Sequence, residues 1–237
     1  MAQDTPSNRE GLGVIIVAAG KSQRMGGIDK IFAPVAGKPL LWWAIEAFER
    51  SPLVNEIVVA VERHSIMEGR ALLRQSGWEK VTQVCRGGAR RQDSVREALW
   101  RLGRWSWVAV HDGARPCVDA ELLRRGLAAA QQTGAAVPGV PVSDTLKRVD
   151  SEGRVIETVD RSGLFAVQTP QFFRRDLLWA AHERVVEDVT DDAMQVERSG
   201  VPVCVFPGDP RNLKVTVPQD LGRIGPFLLW PPAEPAC

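Results

Sequence analysis

GVIIVAAGKSQRMGGIDK, residues 13–30, holds the reading that decides the fold. Its first six residues are apolar without interruption, the pattern of a strand buried on both faces. The strand runs straight into Ala18, Ala19 and Gly20, followed by the cations Lys21, Arg24 and Lys30. Small residues let a backbone approach a ligand, and N–H groups exposed in such a turn form a nest for anions. On residues alone two readings stay open: a polyphosphate-binding turn, or an ordinary basic loop after a strand. The Walker pattern is absent, because neither Gly20 nor Gly26 leads to G-K-[ST], and so is G-x-G-x-x-G.

Working outward, the same rhythm repeats. Pro39 opens a helix, PLLWWAIEAFER, with Leu40, Trp43, Ala44 and Ala47 on one side. EIVVAV (56–61) reads as a second buried strand, followed by a helix near 64–76 that Gly77 closes. VTQVC (81–85) is a third strand and 92–102 a helix. WVAVHD (107–112) is a fourth strand, with a helix at 119–133 closed by Gly134, and AAVPGVPV (135–142) begins a fifth. This alternation predicts an α/β fold with a mostly parallel sheet and helices on both faces. Ligands in such folds bind beyond the carboxyl ends of the strands.

The rhythm breaks at TLKRVDSEGRVIETVD (145–160), two alternating stretches around Ser151-Glu152-Gly153 that predict a hairpin. Leu146, Val149, Val155, Ile156 and Val159 are a thin apolar set, and a lone two-stranded hairpin is unstable in water. The arm, residues 143–162, must therefore pack on its own body or on another subunit. Helices at 174–187 and 191–199, strands at 201–206 and 212–217, and a last helix from Pro218 complete the expectation. We read one domain over residues 11–230, with flexible tails at 1–10 and 231–237. Trp42, Trp43, Trp100, Trp105 and Trp107 fall at core-like places and are assigned to packing.

Composition narrows the function. Of 237 residues, 44% are hydrophobic and 25% charged, with a net charge of +1, so no global field points to nucleic acid. Cys85, Cys117, Cys204 and Cys237 lie far apart, which argues against a zinc site or a disulfide framework. The longest apolar runs fall far short of a membrane span, and the polar N-terminus has no signal-peptide core. The expectation is a soluble, cytoplasmic protein that binds neither nucleic acid nor membrane.

The motif A-A-G-x-S-x-R-M-G with a following Lys, carried by Ala18, Ala19, Gly20, Ser22, Arg24, Met25, Gly26 and Lys30, resembles the signature of nucleotidyltransferases that activate sugars and polyols. RGGARRQDSV (86–95), HDGARP (111–116), DTLK (144–147), TVDRSGLFAVQTPQFF (158–173), TDDA (190–193) and NLKVT (212–216) follow in order. Together, across residues 13–222, they resemble the 2-C-methyl-D-erythritol 4-phosphate cytidylyltransferases of the non-mevalonate isoprenoid pathway. Two positions depart from many relatives: Ile31, after the loop lysine, and Ala89, after the glycine pair.

The resemblance implies a Rossmann-like, nucleotidyltransferase-type sheet with a protruding hairpin arm, and a transfer of CMP from CTP to a polyol phosphate. Arg24 and Lys30 are then expected on the triphosphate. Ala18, Ala19 and Gly20 would contact the nucleotide, while Gly87, Gly88 and Ser94 would read cytosine. Asp112, Gly113, Ala114 and Arg115 would face the substrate pocket, with Asp112 the acidic residue nearest a Mg²⁺ held mainly by phosphates and water. Arg161 and Lys214 would grip the acceptor phosphate, and Thr145, Thr169 and Thr190 the polyol. No dedicated protein metal site is expected, and His111 reads as structural. The resemblance also implies a homodimer whose arms cross between subunits. The rival readings are a cytidylyltransferase for another alditol phosphate, such as ribitol 5-phosphate, and a non-catalytic nucleotide-binding module.

Overall fold

The computed structural model describes residues 8–20 and 29–229. An eight-stranded sheet organises them. Strand β1 (Arg9–Ala18) lies at its centre, parallel to β4 (Val54–Val61) on one side and to β6 (Trp105–Asp112) on the other. Strand β5 (Val81–Arg86) extends the parallel set beyond β4. A short β2–β3 ribbon (Pro34–Val35 and Lys38–Pro39) lies between β1 and the first helix.

The apolar runs predict two-sided burial, and the packing shows it. Leu12, Val14, Ile16 and Ala18 of β1 face a cluster built with α1 (Leu40–Glu49) and α4 (Ala120–Thr133), where α2 (Ile66–Ser76) also packs. Ile15 faces the opposite cluster, with α3 (Arg91–Arg101), α5 (Arg175–Arg184) and α6 (Asp192–Arg198). In β4, Ile57, Val59 and Val61 turn to the first cluster and Val58 and Ala60 to the second. Successive side chains of a strand point to opposite faces, so every position of these runs is apolar. Helices α2 and α4 end at Gly77 and Gly134, whose φ values of 66° and 85° are left-handed, a conformation that glycine adopts without strain.

The far side of the sheet departs from expectation. Strand β7 (Ala135–Pro141) pairs antiparallel with β10 (Phe165–Val167) and β11 (Gln171–Arg174), and parallel with β12 (Cys204–Pro207). β11 also pairs antiparallel with β6, so it separates β6 from β7. Strands β10 and β11 lie where the sequence predicts none: at three and four residues on either side of Pro170, the runs are too short to show a period. Helix α5 is shorter than the expected 174–187. Residues 212–217 alternate like a strand but join no ladder. Their backbone groups go elsewhere: Val215 N–H to the Ala114 carbonyl, the Val215 carbonyl to Lys30, and Thr216 N–H to Asp220 at the start of α7 (Gln219–Leu229).

The hairpin forms as expected, β8 (Leu146–Val149) against β9 (Val155–Val159), as a sheet of its own. Trp100 is not in the core. It is 72% exposed on α3, with the Arg101 guanidinium 5.8 Å from its ring. Trp42, Trp43, Trp105 and Trp107 are half-buried.

Candidate active site

Strands β1, β5 and β6 deliver their carboxyl ends to one edge of the sheet, where a cavity of about 820 Å³ opens. Ala18, Ala19 and Gly20 form one wall after β1, and Gly87, Gly88 and Ser94 another after β5. Asp112 and Ala114 lie at the end of β6, and Lys30 and Lys214 also line the cavity. Residues from four separate sequence motifs thus meet at the place the topology predicts. Arg24, with the rest of residues 21–28, lies outside the described residues.

The two loops touch so closely that glycine is required. A Cβ on Gly87 would lie 2.2 Å from the Ala19 Cβ, and one on Gly88 would lie 2.3 Å from the Asp93 Cβ. Gly87 N–H is fixed by the Val61 carbonyl at 2.8 Å. The Ser94 hydroxyl accepts from Gly88 N–H at 3.0 Å and donates to the Arg90 carbonyl at 3.1 Å. Ser94 therefore shapes the glycine turn. Asp93 accepts from Arg90 N–H and completes the start of α3.

Asp112 is the electrostatic centre. One carboxylate oxygen accepts from Arg91 Nε and Nη2 at 3.3 and 3.2 Å, and the other lies 2.7 Å from Lys214 Nζ and 3.8 Å from Arg115 Nε. Burial alone would raise its pKa. Arg91 and Lys214 outweigh that and hold the carboxyl well below the usual carboxylate range. Lys30 Nζ reaches the Val215 carbonyl at 3.2 Å, which seats it beside the segment that carries Lys214.

His111 is fully buried and does not line the cavity. Its Nε2 pairs with the Arg115 carbonyl at 2.9 Å and its Nδ1 with the Thr169 hydroxyl at 3.0 Å, while Thr169 accepts from Asp112 N–H at 3.0 Å. The neutral ring protonated at Nε2 satisfies all three bonds: Thr169 donates to Nδ1 and Nε2 donates to the carbonyl. Burial pushes the His111 pKa down to about 4.

Other expected site residues lie elsewhere. Arg115 does not line the cavity: its Nη1 donates to the Asn212 carbonyl at 2.7 Å. Gly113 N–H is taken by the Val17 carbonyl. Thr169 is buried behind Asp112, and Thr190 is exposed, its hydroxyl 3.5 Å from Met194 Sδ. Thr145 and Arg161 are exposed on the arm, where Arg161 bonds to the Ser143 carbonyl, and neither lines the cavity of its own chain.

Sequence reading missed Arg91 and Asp192. Arg91 is the first residue of α3 and reaches Asp192 Oδ2 through Nη1 at 2.5 Å. A cation at a helix N-terminus opposes the helix dipole, so adjacent arginines there signal carboxylate partners. Arg63, Arg86 and Arg101 add further cations around the cavity. Among the described residues, no group of three or more His, Cys, Asp or Glu side chains is placed to hold a metal ion. Nor is any described helix long and apolar enough to cross a membrane.

Known proteins resemble this chain in sequence and in fold. The family profile described as 2-C-methyl-D-erythritol 4-phosphate cytidylyltransferase matches residues 12–228. A curated protein of that name from Symbiobacterium thermophilum is 47% identical over 221 residues, covering 91% of this chain and 92% of the relative. One from Dehalococcoides mccartyi is 44% identical over 212 residues, 90% and 93% of the two chains. The crystal structure of the Thermus thermophilus protein of the same name superposes with a TM-score of 0.74 at 36% identity, covering 92% of this chain and 98% of that one. The 4-diphosphocytidyl-2C-methyl-D-erythritol synthase of Anaerococcus prevotii superposes with a TM-score of 0.80 at 25% identity, over the same shares. With its fold, its ordered motifs and residues 12–228 in agreement, this chain belongs to the 2-C-methyl-D-erythritol 4-phosphate cytidylyltransferase family.

Proposed function

We propose a division of labour for this cytidylyltransferase, which joins CMP from CTP to 2-C-methyl-D-erythritol 4-phosphate in isoprenoid precursor synthesis. The observation that carries it is the meeting of Lys30, Lys214 and Asp112 with the Gly87-Gly88 turn in one cavity. An oxygen of the acceptor phosphate attacks the α-phosphorus of CTP. A new P–O–P bridge forms, the bond from the α-phosphorus to the β-phosphate oxygen breaks, and pyrophosphate leaves. The nucleophile is already an anion, so the protein's work is to cancel charge and align the groups.

Carbonyls of the Gly87-Gly88 turn read the cytosine amino group, which uracil lacks, and Ser94 holds that turn in place. Lys30 and Arg24 stabilise the charge that develops at the α-phosphorus, and Lys214 leaves Asp112 to meet the acceptor phosphate. The single chain does not bring Arg161 and Thr145 to its own cavity. We assign both to the cavity of a second copy, in a homodimer joined by the arms. Support comes from the apolar side chains left in solvent on and beside the hairpin: Val155, Ile156 and Phe165 are 59%, 61% and 44% exposed. A cytoplasmic location suits the demand for CTP and the free thiols of Cys85, Cys117 and Cys204.

A divalent ion fits in a restricted way. Mg²⁺ takes most ligands from phosphates and water and needs only one or two carboxylates. Asp112 is the carboxylate that would hold it, with an oxygen freed when Lys214 turns to phosphate. When bound, such an ion neutralises part of the phosphate charge.

Pyrophosphate release with each of the four NTPs, crossed with several polyol phosphates, tests the reading. CTP with 2-C-methyl-D-erythritol 4-phosphate should dominate. Equal rates with UTP would overturn the base-reading turn, and equal rates with ribitol 5-phosphate the acceptor assignment.

A further inference from the structure

We infer that Asp192, a buried carboxylate outside the cavity, is a positioning residue for the acceptor side of the reaction, acting through Arg91 and Asp112 on Lys214. The inference rests on the proposed role of Lys214 and names what holds that lysine ready.

Four side chains run in series. Asp192 Oδ2 accepts from Arg91 Nη1 at 2.5 Å. Arg91 turns the other edge of its guanidinium to Asp112 Oδ1, with Nε at 3.3 Å and Nη2 at 3.2 Å. Asp112 Oδ2 meets Lys214 Nζ at 2.7 Å. The guanidinium is a rigid planar fork, so carboxylates on two edges fix its orientation in a way that one cannot. Asp112 then presents its second oxygen in a fixed direction, and the half-exposed Lys214 is held where that oxygen points. The series crosses from the start of α3, beside the glycine turn, to the segment assigned to the acceptor.

Two observations separate this role from simple packing. The start of α6 is anchored without the Asp192 side chain: Asp191 accepts from Met194 N–H and from Gln171 Nε2, and Gln171 accepts from Ala193 N–H. Further, Asp192 is 0% exposed, yet its Oδ1 has no hydrogen-bond partner among the described residues. A buried carboxylate with an unpaired oxygen is a poor device for stability. It is a good device for aiming an arginine.

The test uses Asp192→Asn, which keeps shape and removes charge, in a double-mutant cycle with Lys214→Ala on the full chain. Acceptor KM, kcat and CTP affinity by calorimetry are read for each protein. Asp192→Asn alone should lower kcat/KM for 2-C-methyl-D-erythritol 4-phosphate roughly tenfold, the order expected for coupled members of one ion-pair network, with CTP affinity within about twofold. In the Lys214→Ala background the same change should add less than about twofold, because its route of action is gone. Independent, multiplying effects would overturn the inference, as would wild-type kinetics in Asp192→Asn beside an impaired Lys214→Ala. Normal acceptor kinetics in Lys214→Ala would overturn the reading of Lys214 and this inference with it. Should Asp192→Asn fail to fold, Arg91→Lys keeps the charge and loses the fork. It should show the same acceptor defect and the same loss of effect in the Lys214→Ala background, and a normal acceptor response there would equally overturn the inference.

Discussion

Replacing Gly87 with alanine adds one methyl group at the closest approach between the two loops that wall the cavity. That methyl would sit 2.2 Å from the Ala19 Cβ and 2.8 Å from the Ser94 Oγ. Carbon atoms rest at about 3.5 Å, so the loops must part by roughly 1.3 Å. Neither contact is the free end of a long side chain: Ala19 has only its Cβ, and Ser94 is pinned between Gly88 and Arg90. Overpacking of this kind costs about 1–3 kcal/mol, which in a chain of this size lowers Tm by roughly 3–10 °C. The functional effect should be larger, since a displacement of about 1 Å at a positioning element costs on the order of 100-fold in rate. Scanning calorimetry reads the first quantity, and pyrophosphate release at varied CTP reads the second. Gly222→Ala is the control. A Cβ there meets nothing within 4 Å on an exposed helical position, so stability should rise by up to about 1 kcal/mol with turnover unchanged. A Gly87→Ala protein with wild-type Tm and wild-type kcat/KM for CTP would refute the close-packing account of the wall.

Two further outcomes are expected. The folded state holds His111 neutral with its pKa pushed down to about 4, against 6.5 when unfolded, so the unfolded chain binds the extra proton between those values. Stability should therefore be complete above pH 6.5 and fall as pH drops toward 4, by up to roughly 3 kcal/mol. His182, lowered by burial, acts in the same direction. Urea midpoints measured from about pH 7.5 to about pH 4.5 should show this slope, reduced in His111→Gln; an equal slope in the variant would remove His111 as its source. If the site is shared across a homodimer as proposed, Lys30→Ala and Arg161→Ala chains, each inactive alone, should regain roughly one quarter of wild-type activity when co-expressed one to one, since half the dimers would be mixed and each would carry one intact site. Purified mixed dimers without activity would place Arg161 in its own chain's site.

The parallel half of the fold was legible because its strands are buried on both faces. Such strands, like residues 14–18 and 57–61, have no choice but to be apolar throughout. The antiparallel half was less so. β11 inserts between β6 and β7 through pairings set by tertiary packing, and Leu213, Val215 and Val217 mimic a strand although their backbone partners are scattered over β6's loop, Lys30 and α7. Around the cavity, small residues and cations after strands are local signals, so Ala19, Gly87 and Lys30 could be named in advance as residues that line it. The Arg91–Asp192 pair spans 101 positions and leaves no period or spacing to read. Arg161 was nameable from the resemblance, but its position in the sequence does not say whether it reaches the cavity of its own chain, which the structure does not show it lining. Trp100 misled because aromatic residues on a helix usually mark its buried face, and this one faces water.

Asp112 has a consequence for which anions the site admits. Its carboxylate stands among Arg91, Lys214 and Arg115 before any phosphate arrives. It is an internal competitor, tethered at a very high effective concentration, and every incoming anion must displace it from Lys214. A stray inorganic phosphate would make few contacts in return and should lose that exchange. A ligand whose phosphate is joined to a polyol can recover the loss through its other groups. If Lys214 receives the acceptor phosphate as proposed, the carboxylate would act as a filter on the lysine against the simple anions that surround it in solution.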